Sequence, residues 1–153
     1  MKRLLFGTAS LIVLASSVTS FSAEARVNTQ TVRNSTSSTL IAEATVLASG
    51  SFVNADKSAS GTAKIINKDG KRYVKLASDF TTVSGPALKV ILHNSDVVGS
   101  NIPESSYISV GILQETSGEQ LYEIPANVDL SDYKSVAIWC EEFNVTFGYA
   151  TLQ

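Results

Sequence analysis

The chain holds few residues that could do chemistry: one cysteine, Cys140, one tryptophan, Trp139, directly before it, and one histidine, His93. Counting ligands narrows what they could do. A four-thiolate iron–sulfur cluster or a structural zinc needs three more strong ligands than one cysteine supplies. A blue-copper centre needs two histidines beside its cysteine, and a dithiol exchange site needs a second thiol. Covalent haem needs a C-x-x-C-H run, which is absent. For Cys140 there remain an axial thiolate to a non-covalent haem, sulfenic or mixed-disulfide chemistry, or plain packing. His93 is a weak candidate for a second axial ligand. A lone histidine near a strand end is usually a polar surface residue.

Packing has its own case. Val136, Ile138 and Cys140 alternate along one strand face, so the thiol points where two aliphatics point. A free cysteine behaves as a small hydrophobe, and both apolar surroundings and the adjoining Glu141 and Glu142 disfavour a thiolate. On residue physics alone, inert core packing is the better reading. Trp139 faces the opposite way, as a core plug before an electron relay. No nucleophile triad, H-E-x-x-H, phosphate loop or dinucleotide fingerprint occurs. The turn carboxylates Asp69, Asp79, Glu115, Glu119, Asp129 and Asp132 read as solvation and capping, with Asp79 expected to bind amides of the turn after it. No metal site is expected. The chain reads as a binding or electron-transfer module rather than an enzyme.

Around these residues the chain divides into three. Residues 1–25 carry a short positive start, Lys2-Arg3, an apolar stretch centred on Leu11-Ile-Val-Leu-Ala15 and small residues at Ala23 and Ala25, the pattern of a cleaved export signal. Gly7, Thr8 and Ser10 interrupt the stretch, and it is too short to anchor in a membrane. The expected product is exported, periplasmic or secreted, without membrane insertion. Cleavage takes away two bases and one acid, moving the net charge from −2 to −3. With no basic cluster, nucleic acid is an unsuitable partner. Residues 26–44 form a Ser/Thr-rich tether with too little apolar content to bury a face, although a first edge strand near Leu40-Ile41 stays open. Asn34-Ser-Thr36 and Asn144-Val-Thr146 match the glycosylation pattern, which is frequent by chance.

From residue 45 to 153 short strands follow one another. Segments 44–53, 60–66, 72–76, 88–92, 107–113 and 120–124 alternate apolar and polar residues. Asp69-Gly70 marks a tight hairpin between two of them. Gly85-Pro86 marks a turn, residues 94–106 a polar loop, and Asn127–Tyr133 a connection with one helical turn. At the end, Tyr133–Leu152 reads as two strands joined at Glu141-Glu142, with Phe143, Phe147 and Tyr149 in a period-two series. No segment keeps a helical period. The expected fold is all-β, an antiparallel β-sandwich of about eight to ten short strands.

Several motifs together resemble the DM-thirteen domain, often labelled an electron-transfer domain family. They are Gly50-Ser-Phe52, Ser60-Gly-Thr62, Asp79-Phe80, Gly85-Pro-Ala-Leu-Lys-Val90, Gln120-Leu-Tyr-Glu-Ile-Pro125, Ser135-Val-Ala-Ile-Trp-Cys140 and Phe143-Asn-Val-Thr-Phe-Gly-Tyr-Ala-Thr-Leu152. They run in the family's order from about Thr45 to Leu152. Ala87 departs from the pattern, which usually has an acid after Gly-Pro. The resemblance implies an all-β extracytoplasmic domain and a redox or electron-transfer role resting on Cys140, with haem as one cofactor it could serve and a redox partner or envelope protein as its counterpart. The alternative is a non-catalytic binding domain in which Cys140 is inert and the loop His93–Ser106 recognises a ligand. A Cys140–Cys140 disulfide-linked homodimer is a further reading.

Overall fold

The computed structural model describes residues 43–153; the expected export signal, most of the expected tether, Leu40-Ile41 and Asn34 lie outside the described residues. Ten strands follow: β1 (Thr45–Asn54), β2 (Ala59–Ser60), β3 (Thr62–Lys68), β4 (Lys71–Leu76), β5 (Thr81–Thr82), β6 (Leu88–His93), β7 (Tyr107–Ile112), β8 (Gln120–Ile124), β9 (Ser135–Cys140) and β10 (Val145–Thr151). The two helical pieces are single 3-10 turns, Glu104–Ser106 and Leu130–Asp132, the second where one helical turn was expected. Asp129 caps that turn by accepting from the Ser131 amide at 3.0 Å.

Eight strands form one sheet in the order β7-β6-β9-β10-β1-β3-β4-β8, and β2 pairs with β5 as a small ribbon. Among the described residues every strand pairing is antiparallel, as the alternating sequence segments predict. The sheet curls until its two edge strands, β7 and β8, approach each other, so one sheet supplies both walls of the expected sandwich. A buried polar cluster bridges one end of the seam. Tyr122 Oη donates to Gln120 Oε1 at 2.6 Å and accepts from the Gln114 amide at 3.0 Å, while Gln120 Nε2 donates to the Glu115 carbonyl at 2.9 Å. Burial pushes the Tyr122 phenol upward, so it stays a donor.

The Asp69-Gly70 hairpin forms as expected. Both residues take positive φ, 54° and 77°, the twist that a two-residue turn needs to join β3 to β4. Asp79 differs from expectation. Its carboxylate reaches back to Thr62 and accepts from the amide at 3.0 Å and the hydroxyl at 2.9 Å. The start of β3 lies beside it in space, which sequence distance conceals.

Two apolar cores result. The larger fills the curled sheet and holds Phe52, Ile65, Val74, Leu76, Phe80, Val90, Val136 and Ile138. Phe52 and Phe80 meet in a tilted aromatic pair with centroids 5.3 Å apart. The smaller lies outside the sheet, where Val98 and Ile102 of the 94–106 segment cover Ile91, Ala137 and Trp139. The sequence reads that segment as a polar loop, and as a ligand-recognising one only in the alternative reading. Its backbone is instead bound down: Thr146 Oγ1 donates to the Gly99 carbonyl, Thr151 Oγ1 to Asp96 and Ser135 Oγ to Ser95, all at 2.6–2.7 Å.

Arg72 was not singled out by sequence, yet its guanidinium donates to the carbonyls of Pro125, Ala126 and Val128 at 3.2, 3.0 and 2.8 Å. All three bonds come from one terminal nitrogen, Nη2, whose two N–H groups are shared among the three carbonyls. Arg72→Ala should lower the unfolding free energy by about 1–2 kcal/mol, read as a lower urea midpoint with an unchanged slope.

Candidate functional site

The site grows out of the β9–β10 hairpin. All six residues of β9 are buried, because the strand has a core on each face. Alternation does the sorting: Val136, Ile138 and Cys140 enter the inner core, while Ala137 and Trp139 enter the outer one. The predicted opposition of Cys140 and Trp139 holds. Trp139 stacks against Tyr107, with centroids 4.8 Å apart and a 49° tilt, and its Nε1 donates to Asn144 Oδ1 at 3.0 Å.

The turn after Cys140 is longer than expected. Glu141–Asn144 forms a four-residue connection, so Phe143 lies in the turn and not in a strand; it is 63 % exposed. Asn144 makes the turn by taking φ 46°, a conformation asparagine tolerates better than most residues. Its amide then brackets the covering segment, accepting from the Ile102 amide at 3.0 Å and donating to the Ile102 carbonyl at 3.2 Å. Those bonds, with the one from Trp139, occupy the side chain that the glycosylation pattern named.

The aromatic series is also broken in β10. Thr146 pairs with Trp139 and Gly148 with Ile138, leaving Phe147 as an extra residue, a β-bulge. The bulge reverses the faces that follow. Phe147 packs in the inner core, while Tyr149 packs against the outer one. It also turns the Phe147 carbonyl out of the ladder, where it accepts from the amides of Ala55 at 2.9 Å and Lys57 at 3.2 Å. This draws the bend after β1 against the hairpin.

Over Cys140 lies the strap Ser84–Ala87. Gly85 rests on the Phe147 ring so closely that an added Cβ would meet it at 2.6 Å. Ala87 is held at φ 47°, and its carbonyl accepts from the Glu141 amide at 3.2 Å. An acid, as the resembling family has there, would need no polar partner to explain it, since aspartate enters this region more readily than alanine. The Cys140 thiol donates to the Pro86 carbonyl at 3.0 Å.

Between strap, bend and hairpin is a largely apolar hollow of about 460 Å³. Phe143, Val145, Phe147 and Pro86 form its walls, Lys57 stands at its rim, and Cys140 lies at its floor. Although it borders this hollow, Cys140 is only 1 % exposed. Sequence reasoning missed Lys57 and Pro86, since only the bulge and the positive φ of Ala87 bring them here.

His93 is not part of this site. Cys140 pairs with Leu88 and His93 with Ser135, five residues apart on β6 and roughly 17 Å at strand spacing. The two side chains also leave opposite faces of the sheet, as Leu88, Val90 and Leu92 enter the inner core and Ile91 the outer one. One group cannot be held by both. A haem on Cys140 does not fit these residues: the thiol proton is taken by Pro86, the sulfur is covered, and no second ligand is near. Among the described residues, no three His, Cys, Asp or Glu side chains gather as a metal set. A Cys140–Cys140 disulfide would likewise require the strap to leave.

His93 also corrects the expectation of a surface residue. It is 5 % exposed, and its Nδ1 accepts from the Ser95 amide at 3.0 Å. Burial lowers its pKa from 6.5. Above 6.5 the imidazole is neutral in both states. As pH falls through 6.5 the unfolded chain takes up the proton first, so stability drops until the folded pKa is passed. The melting temperature should therefore fall between about pH 7 and pH 5. His93→Asn, which keeps an acceptor for Ser95, should remove that part of the slope.

No curated protein and no solved structure matches the chain. The profile of the family described as Electron transfer DM13 matches residues 51–152, which takes in every strand from the end of β1 to β10 and the whole of the Cys140 hollow. The chain belongs to the Electron transfer DM13 family.

Proposed function

We propose that the chain is an exported electron-transfer module whose redox atom is Cys140 Sγ, reached from the apolar hollow when the Ser84–Ala87 strap shifts. The observation that carries this reading is that the chain's one thiol, although buried in the inner core, also borders a hollow. The Ser84–Ala87 strap covers it, bonded to the sulfur by one weak S–H···O bond and to the Glu141 amide through Ala87. The thiol exchanges with a small disulfide: Cys140 sulfur bonds to one sulfur of the disulfide, the old S–S bond breaks, and the Cys140 proton leaves with the departing thiol. The step leaves Cys140 sulfur at the disulfide level and one partner sulfur at the thiol level. A second thiol then attacks the partner's sulfur in the mixed disulfide, takes it into a new disulfide and returns Cys140 as a thiol with the proton it gives up. Export is supported by the pattern of residues 1–25, and an envelope or secreted thiol protein suits it as the counterpart.

A second reading has its own observation. Cys140 shares its face with Val136 and Ile138, both fully buried, and its proton is already bonded. In that reading the domain binds a ligand and the sulfur is inert.

Thiol titration with an aromatic disulfide before and after unfolding separates the two, alongside an absorption spectrum of protein from haem-replete cells. The redox reading predicts a colourless protein and one thiol that reacts while folded and is restored by dithiothreitol. A thiol that reacts only after unfolding would overturn it in favour of the binding domain. A Soret band lost in Cys140→Ser would overturn it in favour of a haem thiolate.

A further inference from the structure

The hollow above Cys140 has a polarity of its own, independent of what the sulfur does. Its walls are carbon: Phe143, Val145, Phe147 and Pro86. Polar groups at the mouth are few, and the only charged one is Lys57. Lys71, Lys75, Lys89 and Lys134 each pair with a carboxylate, to Glu123, Glu119, Glu141 and Asp96. Lys57, Lys64 and Lys68 have no such partner among the described residues, and of these three only Lys57 lines the hollow. Its backbone is fixed beside the hollow, because its amide donates to the bulged Phe147 carbonyl. Ser84 adds a hydroxyl on the facing strap. The floor offers no hydrogen-bond donor to a guest, since the Cys140 proton is taken by Pro86.

We infer that the hollow between strap and hairpin is a binding site for a small molecule with an apolar body and one anionic group, such as a medium-chain or aromatic carboxylate. The body lies between Phe143 and Phe147, and the anion meets Lys57 and Ser84 at the mouth. At about 460 Å³ the space falls within the range of about 300–1,000 Å³ usual for small-molecule sites. Phe143 fits this assignment: a phenylalanine left 63 % exposed on a turn has no core to fill, but it closes one wall of the hollow. The redox activity of Cys140 does not enter the argument.

Calorimetric titration of the full chain with decanoate and with decanol tests this, and both ligands are used on wild type, Lys57→Ala, Phe143→Ala and Lys64→Ala. Decanoate should bind wild type at a single site, and more tightly than decanol. Lys57→Ala should weaken decanoate by about threefold to fivefold, the worth of one solvated ion pair, and leave decanol unchanged. Phe143→Ala should weaken both by about tenfold, the loss of one aromatic wall. Lys64→Ala, which removes a lysine outside the hollow, should bind both ligands as wild type does, and neither ligand carries a disulfide, which keeps this result separate from the thiol chemistry. Equal binding of decanoate and decanol to wild type, or no effect of Lys57→Ala, would overturn the assignment of the anion. No binding of either ligand would overturn the site. Binding to phosphatidylglycerol vesicles in place of soluble decanoate would overturn it in favour of a membrane surface.

Discussion

The constraint on which this domain depends is that β9 must bury both of its faces. An ordinary antiparallel strand with one wet face would alternate apolar and polar residues; Ser135–Cys140 leaves no side chain for water. The inner face is satisfied by the curl of the sheet. The outer face would be exposed without the 94–106 segment, whose Val98 and Ile102 cover Trp139 and Ala137. Covering the outer face fixes the orientation of the strand, because a slip of one residue would exchange indole and thiol. Cys140 is thereby committed to the inside and Trp139 to the outside.

Asn144 links the two requirements. It ends the hairpin turn with a positive φ, binds both backbone groups of Ile102 and accepts from Trp139. The bulge at Phe147 acts on the other side, freeing a carbonyl that draws the Lys57 bend inward. A turn and a bulge within four residues thus shape the hollow. Neither belongs to the regular ladder, as is common where sheets carry sites.

Much of the fold was legible in the sequence. Strand boundaries, the Asp69-Gly70 turn and the opposed faces of Cys140 and Trp139 follow from alternation and from glycine's freedom, both local properties. Features set by long-range contact were hidden. Asp79 binds Thr62, far behind it in sequence, and His93 becomes a buried residue only because Ser95 and the covering segment close over it. The aromatic series from Phe143 to Tyr149 misled for another reason: period two holds only while the ladder is regular, and the bulge interrupts it. Of the site, the sequence offered Cys140 alone. Pro86, Ala87 and Lys57 carry no chemical signature and reach the sulfur only through the fold.

The central claim is that Cys140 can exchange electrons while the domain stays folded. Equilibrating the protein with graded mixtures of reduced and oxidised glutathione, and reading intact mass together with the near-ultraviolet dichroism of Trp139, tests it most directly. The account predicts a reversible single adduct at Cys140 with the tryptophan signal intact. An adduct that forms only as that signal collapses would contradict it, for the sulfur would then be reachable only in the unfolded chain.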